Sequence, residues 1–282
     1  MGWIRDLPDI RDFTPESEKI VPLLRKANLS QPLKALPHST DLRPWCSPVE
    51  NQGQLGSCTA HAGVGVLEYF ERRAFGRFID ASRLFLYKAT RNLMHASGDS
   101  GAYLRTTMGA LAVFGVPPEE YWPYDIAAFD REPGAFCYAF AQNYQAIQYM
   151  RLDPPGTSGA ALLNSVKSHL AAGLPAMFGF TVYASINQAG PSGGIPFPCP
   201  GEKAVGGHAI VAVGYDDGIQ IRNPNCTAPS TQGAILIRNS WGAGWGDHGY
   251  GWLPYDYVLK GLAVDWWVLL RNEWMDTGQF RA

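Results

Sequence analysis

A two-lobed α+β protein, helical at the front and β-rich behind, is the fold this sequence predicts. Between residues 57 and 114, apolar residues recur at helical spacing and are punctuated by Ser and Gly. From Ala176 onward, short β-branched apolar runs alternate with Gly- and Pro-rich stretches. The length of 282 residues and a 46% hydrophobic content suit one large domain or two small lobes. Helices segregated from strands in this way mark the α+β class.

The elements follow in order. Residues 1–35 hold charge and proline with one apolar patch, Ile20–Leu24, and read as an extended arm with a single helical turn. Residues 36–282 form the folded domain, its helical lobe mainly 50–140 and its β-rich lobe mainly 141–270. Ser57 is placed to cap a helix running from Cys58 to about Gly76, with small residues Ala60, Ala62, Gly63 and Gly65 set for close packing. Further helices are expected over Ser82–Leu93, Tyr103–Phe114 and Ser158–Ala172. Strands are expected over Ala176–Val182, His208–Tyr215, Ala234–Arg238, Gly249–Leu253 and Ala263–Leu270. Gly190–Gly201 and Asn223–Gly233 read as loops.

Lys plus Arg number 23 against 25 Asp plus Glu, a net charge of −2. That balance argues against nucleic-acid or anionic-membrane partners. No run reaches the roughly 18–20 apolar residues of a membrane-spanning helix, and the N-terminus lacks a secretory pattern. Cysteines 46, 58, 137, 199 and 226 are an odd set. With Cys58 set aside, two disulfides or four free thiols are equally open, and Cys199 with Cys226 is the favoured pair if any forms.

The chemistry concentrates in three segments. Gln52-Gly53-Gln54-Leu55-Gly56-Ser57-Cys58 places a thiol in the first turn of a helix, where free N–H groups favour a thiolate. The helix dipole contributes only about 0.3–1 kcal/mol, less than one pKa unit (about 1.4 kcal/mol), so a cationic partner is needed. His208 opens an apolar strand behind two glycines and is the candidate base. Asn239 follows another strand, and its amide oxygen is suited to fixing an imidazole's tautomer, with Trp241 covering the bond. Gln52 is placed to donate to an oxyanion beside the Cys58 N–H. His61, His169, His38, His95 and His248 are assigned structural or solvent roles.

Gln52…Cys58, Gly207-His208-Ala209 and Asn239-Ser240-Trp241-Gly242 resemble the motifs of the papain-like cysteine peptidases, in their bacterial form. Leu36-Pro37…Asp41-Leu42-Arg43-Pro44 resembles the start of that family's mature chain. The resemblance implies a papain-like two-lobe fold with a β-barrel-like right lobe, and peptide hydrolysis through an acyl-thioenzyme without a cofactor or metal. It implies Cys58 as nucleophile, His208 as base and then acid, Asn239 as orienter and Gln52 as oxyanion donor. It also places Gly101, Ala102, Gly207 and Trp241 along the substrate path. Leu55 and Ala102 depart from the family's usual Cys and Gly. Peptide or protein substrates and a monomer are expected, with residues 1–35 lying over the cleft as an intramolecular inhibitor. The competing readings are a transglutaminase-like acyltransferase and a non-catalytic binding module.

Overall fold

The computed structural model describes residues 1–29, 35–227 and 229–272. Parts of the expected arm (30–34) and of the C-terminal lobe (228 and 273–282) lie outside the described residues.

The front half is a helical cluster around α2 (Cys58–Phe75), buried over most of its length. Its small residues do what their size allows. A Cβ at Gly63 would stand 3.2–3.3 Å from Leu111, Thr107 and Leu86, so α3 (Arg83–Leu93) and α4 (Leu104–Val113) pack directly on it. Gly76 ends α2 at φ +69°, a left-handed cap that glycine adopts without strain. Ser82 caps α3, its Oγ accepting from the Phe85 N–H at 3.1 Å. Ser57 does not cap α2, contrary to expectation; its hydroxyl lies 2.6 Å from the Tyr124 hydroxyl and 3.3 Å from His61 Nδ1. A tertiary partner outbid the local one.

The β-rich half is an antiparallel sheet of β2 (Ala146–Arg151), β7 (Ala263–Asn272), β3 (Ala176–Tyr183), β4 (Ala204–Ile221), β5 (Thr231–Arg238) and β6 (Tyr250–Pro254), in that spatial order. The short β1 (Ser39–Asp41) pairs with β4 at 214–216, just beyond where β3 leaves it. The sheet ends at β2 and β6, which do not pair with each other, so the right lobe is an open sheet and not the closed barrel that "β-barrel-like" suggests. Helix α6 (Gly159–Ala171) packs on this lobe, capped by Ser158. The five expected strands are all present. The helical turn expected in the arm is the short α1 (Val21–Lys26), while β1, β2 and the short helices α5 (Ala135–Ala141) and α7 (Tyr255–Leu259) are additions, too brief to show a period in sequence.

Between the lobes, α2 meets β4 and β3. A buried polar chain ties them. Arg238 on β5 donates to Ser47 Oγ at 3.0 Å, Ser47 to Glu68 on α2 at 2.5 Å, and Glu68 pairs with Arg83 on α3 at 2.9 Å. Glu68 and Arg83 pair as ions, and Arg238 is held by the Ser47 hydroxyl and the Pro48 carbonyl. Cys199 and Cys226 form a disulfide, joining the turn before β4 to the β4–β5 loop, while Cys46, Cys58 and Cys137 are free and buried.

The arm crosses the molecule through a series of turns that lead into α1. Phe13 stands edge-on to Tyr149, its carbonyl accepting from Arg151, and Ile20 and Leu24 are buried. The segment reaching the interlobe crevice, however, is Met1–Ile4, not the apolar patch Ile20–Leu24.

Candidate active site

Cys58 is the first residue of α2 and is fully buried. His208 lies on β4, likewise buried, and the N–H of the next residue, Ala209, donates to Cys58 Sγ at 3.4 Å. Helix start and strand are thereby stitched together across the lobe boundary. His208 Nε2 and Asn239 Oδ1 are 2.8 Å apart. An amide oxygen only accepts, so Nε2 carries the proton. Nδ1 has no hydrogen-bond partner among the described residues and is the nitrogen left for proton exchange. Asn239 Oδ1 also accepts from the Ser240 N–H at 2.8 Å, which holds the amide in place. Trp241 stacks on the His208 ring, centroids 4.8 Å apart and planes 24° apart, with Trp245 edge-on behind it. The indole therefore shields the imidazole–amide bond from water, as its position in sequence suggested.

Gln52 is buried in the loop before α2. Its Oε1 accepts from Ser240 Oγ at 2.5 Å and its Nε2 donates to the Leu55 carbonyl at 2.7 Å. One Nε2 hydrogen remains for another acceptor. Gln52 thus braces the loop before Cys58 against the Asn239 segment, a role the sequence did not reveal. Ser240 and Tyr124 are also missed partners: Tyr124 holds Ser57 and the Gln52 carbonyl (3.0 Å) from the helical lobe. His61, one turn after Cys58, bonds back to the Ser57 carbonyl, and burial pushes it down to about 3, so it stays neutral. His169 is buried in α6 and bonded to the Ser165 carbonyl.

Gly101, Ala102 and Gly207 all meet the arm. Ala102 exchanges backbone hydrogen bonds with Gly2 (2.7 Å) and Ile4 (3.0 Å), a parallel bridge at Trp3. A Cβ at Gly101 (φ +73°) would run into the Gly2 carbonyl, and one at Gly207 would stand 2.8 Å from the Trp3 ring. The Met1 side chain lies over Gly206.

This cover sets the electrostatics. Burial pushes the Cys58 thiol up, against the smaller opposing pull of the Ala209, Gly2 and Thr59 N–H groups and the N-terminal ammonium. Burial also pushes His208 down to about 4, only partly offset by Asn239. Both groups are therefore neutral at pH 7 with the arm in place. The thiolate–imidazolium pair expected from sequence is not the state favoured in the covered cleft, because two charges there would be stripped of water.

A thiol at a helix start, an imidazole with one unbonded nitrogen and an amide bonded to the other are the groups that a nucleophile, base and orienter set requires. The model of the papain family cysteine proteases matches residues 36–260. The chain belongs to this family. It is 31% identical over 281 residues to an uncharacterized peptidase C1-like protein of Acanthamoeba polyphaga mimivirus, covering 95% of this chain and 86% of that one. Papain of Carica papaya is 30% identical over 208 residues, which is 72% of this chain and 50% of papain's sequence, so the chain spans about half of that relative. Among solved structures, xylellain, a cysteine protease from Xylella fastidiosa, superposes with a TM-score of 0.74 at 35% identity, covering 95% and 94% of the two chains. Digestive procathepsin L 3 of Tenebrio molitor shares the fold, with a TM-score of 0.61 at 21% identity. Papain-family membership makes the chain a cysteine peptidase on an α+β frame.

Proposed function

We propose that the protein hydrolyses peptide bonds at Cys58 and that its residues 1–29 hold it closed. Cys58 is the nucleophile, His208 Nδ1 takes the thiol proton and returns it to the leaving amine, and Asn239 orients the ring. The Cys58 N–H and the spare Gln52 hydrogen stabilise the oxyanion. Water then cleaves the acyl-thioenzyme. Gly101, Ala102 and Gly207 line the substrate path, and Trp241 walls its leaving-group side. Residues 36–270 carry the peptidase lobes, and the chain acts as a monomer, its site drawn from one chain.

One observation carries this reading. Met1–Ile4 fill the crevice beside the buried Cys58: Gly2 and Ile4 bond to the Ala102 backbone and Trp3 packs on Gly207, the residue before His208. The backbone and side-chain positions that the resemblance assigns to a substrate, at Gly101, Ala102 and Gly207, are taken by the arm, so a substrate has to displace it. Arg105 fixes it there, gripping Asp12 at 2.6 Å as well as Asp6 and the Leu7 carbonyl.

The test is hydrolysis of a casein or peptide-library substrate by the full chain after the arm is loosened by Arg105→Met. Activity should appear in this variant and vanish with Cys58→Ala, a loss on the order of 10⁴–10⁶. Equal rates in the native chain and Arg105→Met would remove the restraint. Activity surviving Cys58→Ala would remove the mechanism. Incorporation of an added amine in place of hydrolysis would favour the acyltransferase alternative.

A further inference from the structure

The pocket that receives Trp3 has a chemistry of its own. Its walls are glycines: a Cβ at Gly179 would fall inside the indole ring, and one at Gly207 would press on its edge. The space is a slot for a flat ring. Its floor is Asp265 on β7, a buried carboxylate. The Trp3 Nε1–H donates to Asp265 Oδ2 at 3.0 Å. The other oxygen, Oδ1, is already satisfied by the Trp267 Nε1–H at 2.7 Å and lies 3.3 Å from the Arg151 guanidinium. Among the described residues, Oδ2 has Trp3 as its one hydrogen-bond donor.

The backbone shows that this carboxylate is aimed. Asp265 sits at φ +61°, an unusual conformation for a residue with a Cβ. It lies where β3 and β7 lose register, Met177 opposing Trp267 but Gly179 opposing Val264, so β7 carries an extra residue there. Bulges of this kind redirect a side chain, and backbone held in such a conformation clusters at functional sites.

We propose that Asp265 is a specificity-determining residue and that this pocket selects an indole-type side chain, tryptophan above all, from a bound peptide. The proposal rests on the peptidase reading for its cleavage assay alone. Displacing the arm removes Trp3 and leaves Oδ2 without that donor, and a side chain that then fills the slot shuts water out again. Leucine or phenylalanine would fill the slot but leave that oxygen unpaired, which costs far more than a missing contact. A cationic side chain would supply donors, but Arg151 already stands 3.3 Å from Asp265 Oδ1 and 2.9 Å from Asp153, so a second cation would be driven in beside a like charge. A neutral, flat donor is what remains.

Trp3→Gly in the full chain opens the slot. Calorimetric titration should then show indole binding about 10- to 100-fold tighter than indene, which has its shape but no N–H. The same variant should cleave peptides carrying Trp at the pocket position about 10- to 100-fold faster in kcat/KM than Phe or Leu counterparts, when the residue is scanned through the positions before the scissile bond. Adding Asp265→Leu should erase both preferences. If that double variant does not fold, the indole–indene comparison in Trp3→Gly decides alone. Equal binding of indole and indene, or equal cleavage of Trp and Phe peptides, overturns the proposal. No cleavage of any peptide alongside an indole preference would instead sink the peptidase reading and leave the pocket standing.

Discussion

Trp3→Ala in the full chain should unmask Cys58. The Trp3 side chain is 8% exposed and is wedged between Gly179 and Gly207 with its N–H on Asp265. Truncating a buried aromatic to alanine costs about 3–5 kcal/mol in a core. Taking the lower end, because the contact is between an arm and a cleft, about 3 kcal/mol shifts the closed–open balance roughly 100-fold. The closed state protects the thiol twice, by burying it and by pushing its ionisation up. Alkylation by iodoacetamide at pH 7 should therefore track the open fraction and rise about 100-fold in the variant, up to the rate of a fully open site. Peptide mapping locates the label. Cys46 and Cys137, both free and buried, serve as internal controls, since their labelling would report general unfolding. A Cys58 rate unchanged from the native chain, with those two still protected, would refute the reasoning that Met1–Ile4 gate the nucleophile.

Gln52→Ala should lower kcat by about 10²–10³ with a smaller change in KM, as loss of one oxyanion donor does; a matching fall in melting temperature would show that bracing Ser240 and Leu55 is its larger role. Reducing the Cys199–Cys226 disulfide, whose partners are 27 residues apart, should cost about 3–4 kcal/mol, read as a lower denaturant midpoint under reductant. Burial raises Glu71 from 4.5 to about 7. A carboxyl raised in the folded state binds its proton more tightly there, so its burden on stability is absent below about pH 4.5 and full above about pH 7. Glu71→Gln keeps an acceptor for the Ile79 N–H and should stabilise the protein at pH 8 by up to about 3 kcal/mol, yet change little at pH 4.5; an equal effect at both pH values would contradict this.

The sequence by itself carried the helix at Cys58 and the five core strands, because each rests on local information, and it singled out Cys58, His208, Asn239 and Gln52 as candidates; it left open whether any disulfide forms and favoured Cys199 with Cys226 only as the pair if one did. Apolar period sets helix and strand, glycine sets stops, and a reactive side chain is recognisable from its neighbours. Tertiary structure decided what depends on distant partners. The Ser57 hydroxyl left its cap position for Tyr124, 67 residues on, since the helix start is buried against that ring. The sheet stayed open because closure depends on how its first and last strands meet, which no strand encodes alone. Which part of the arm enters the cleft was settled by fit: Trp3 matches a glycine-walled slot built from β3, β4 and a bulge in β7, while the more conspicuous Ile20 and Leu24 are buried elsewhere. The charge state of Cys58 and His208 belongs to the same class. The residue types favour an ion pair, and the cover laid over them by four residues from the far end of the chain removes the water that would sustain it.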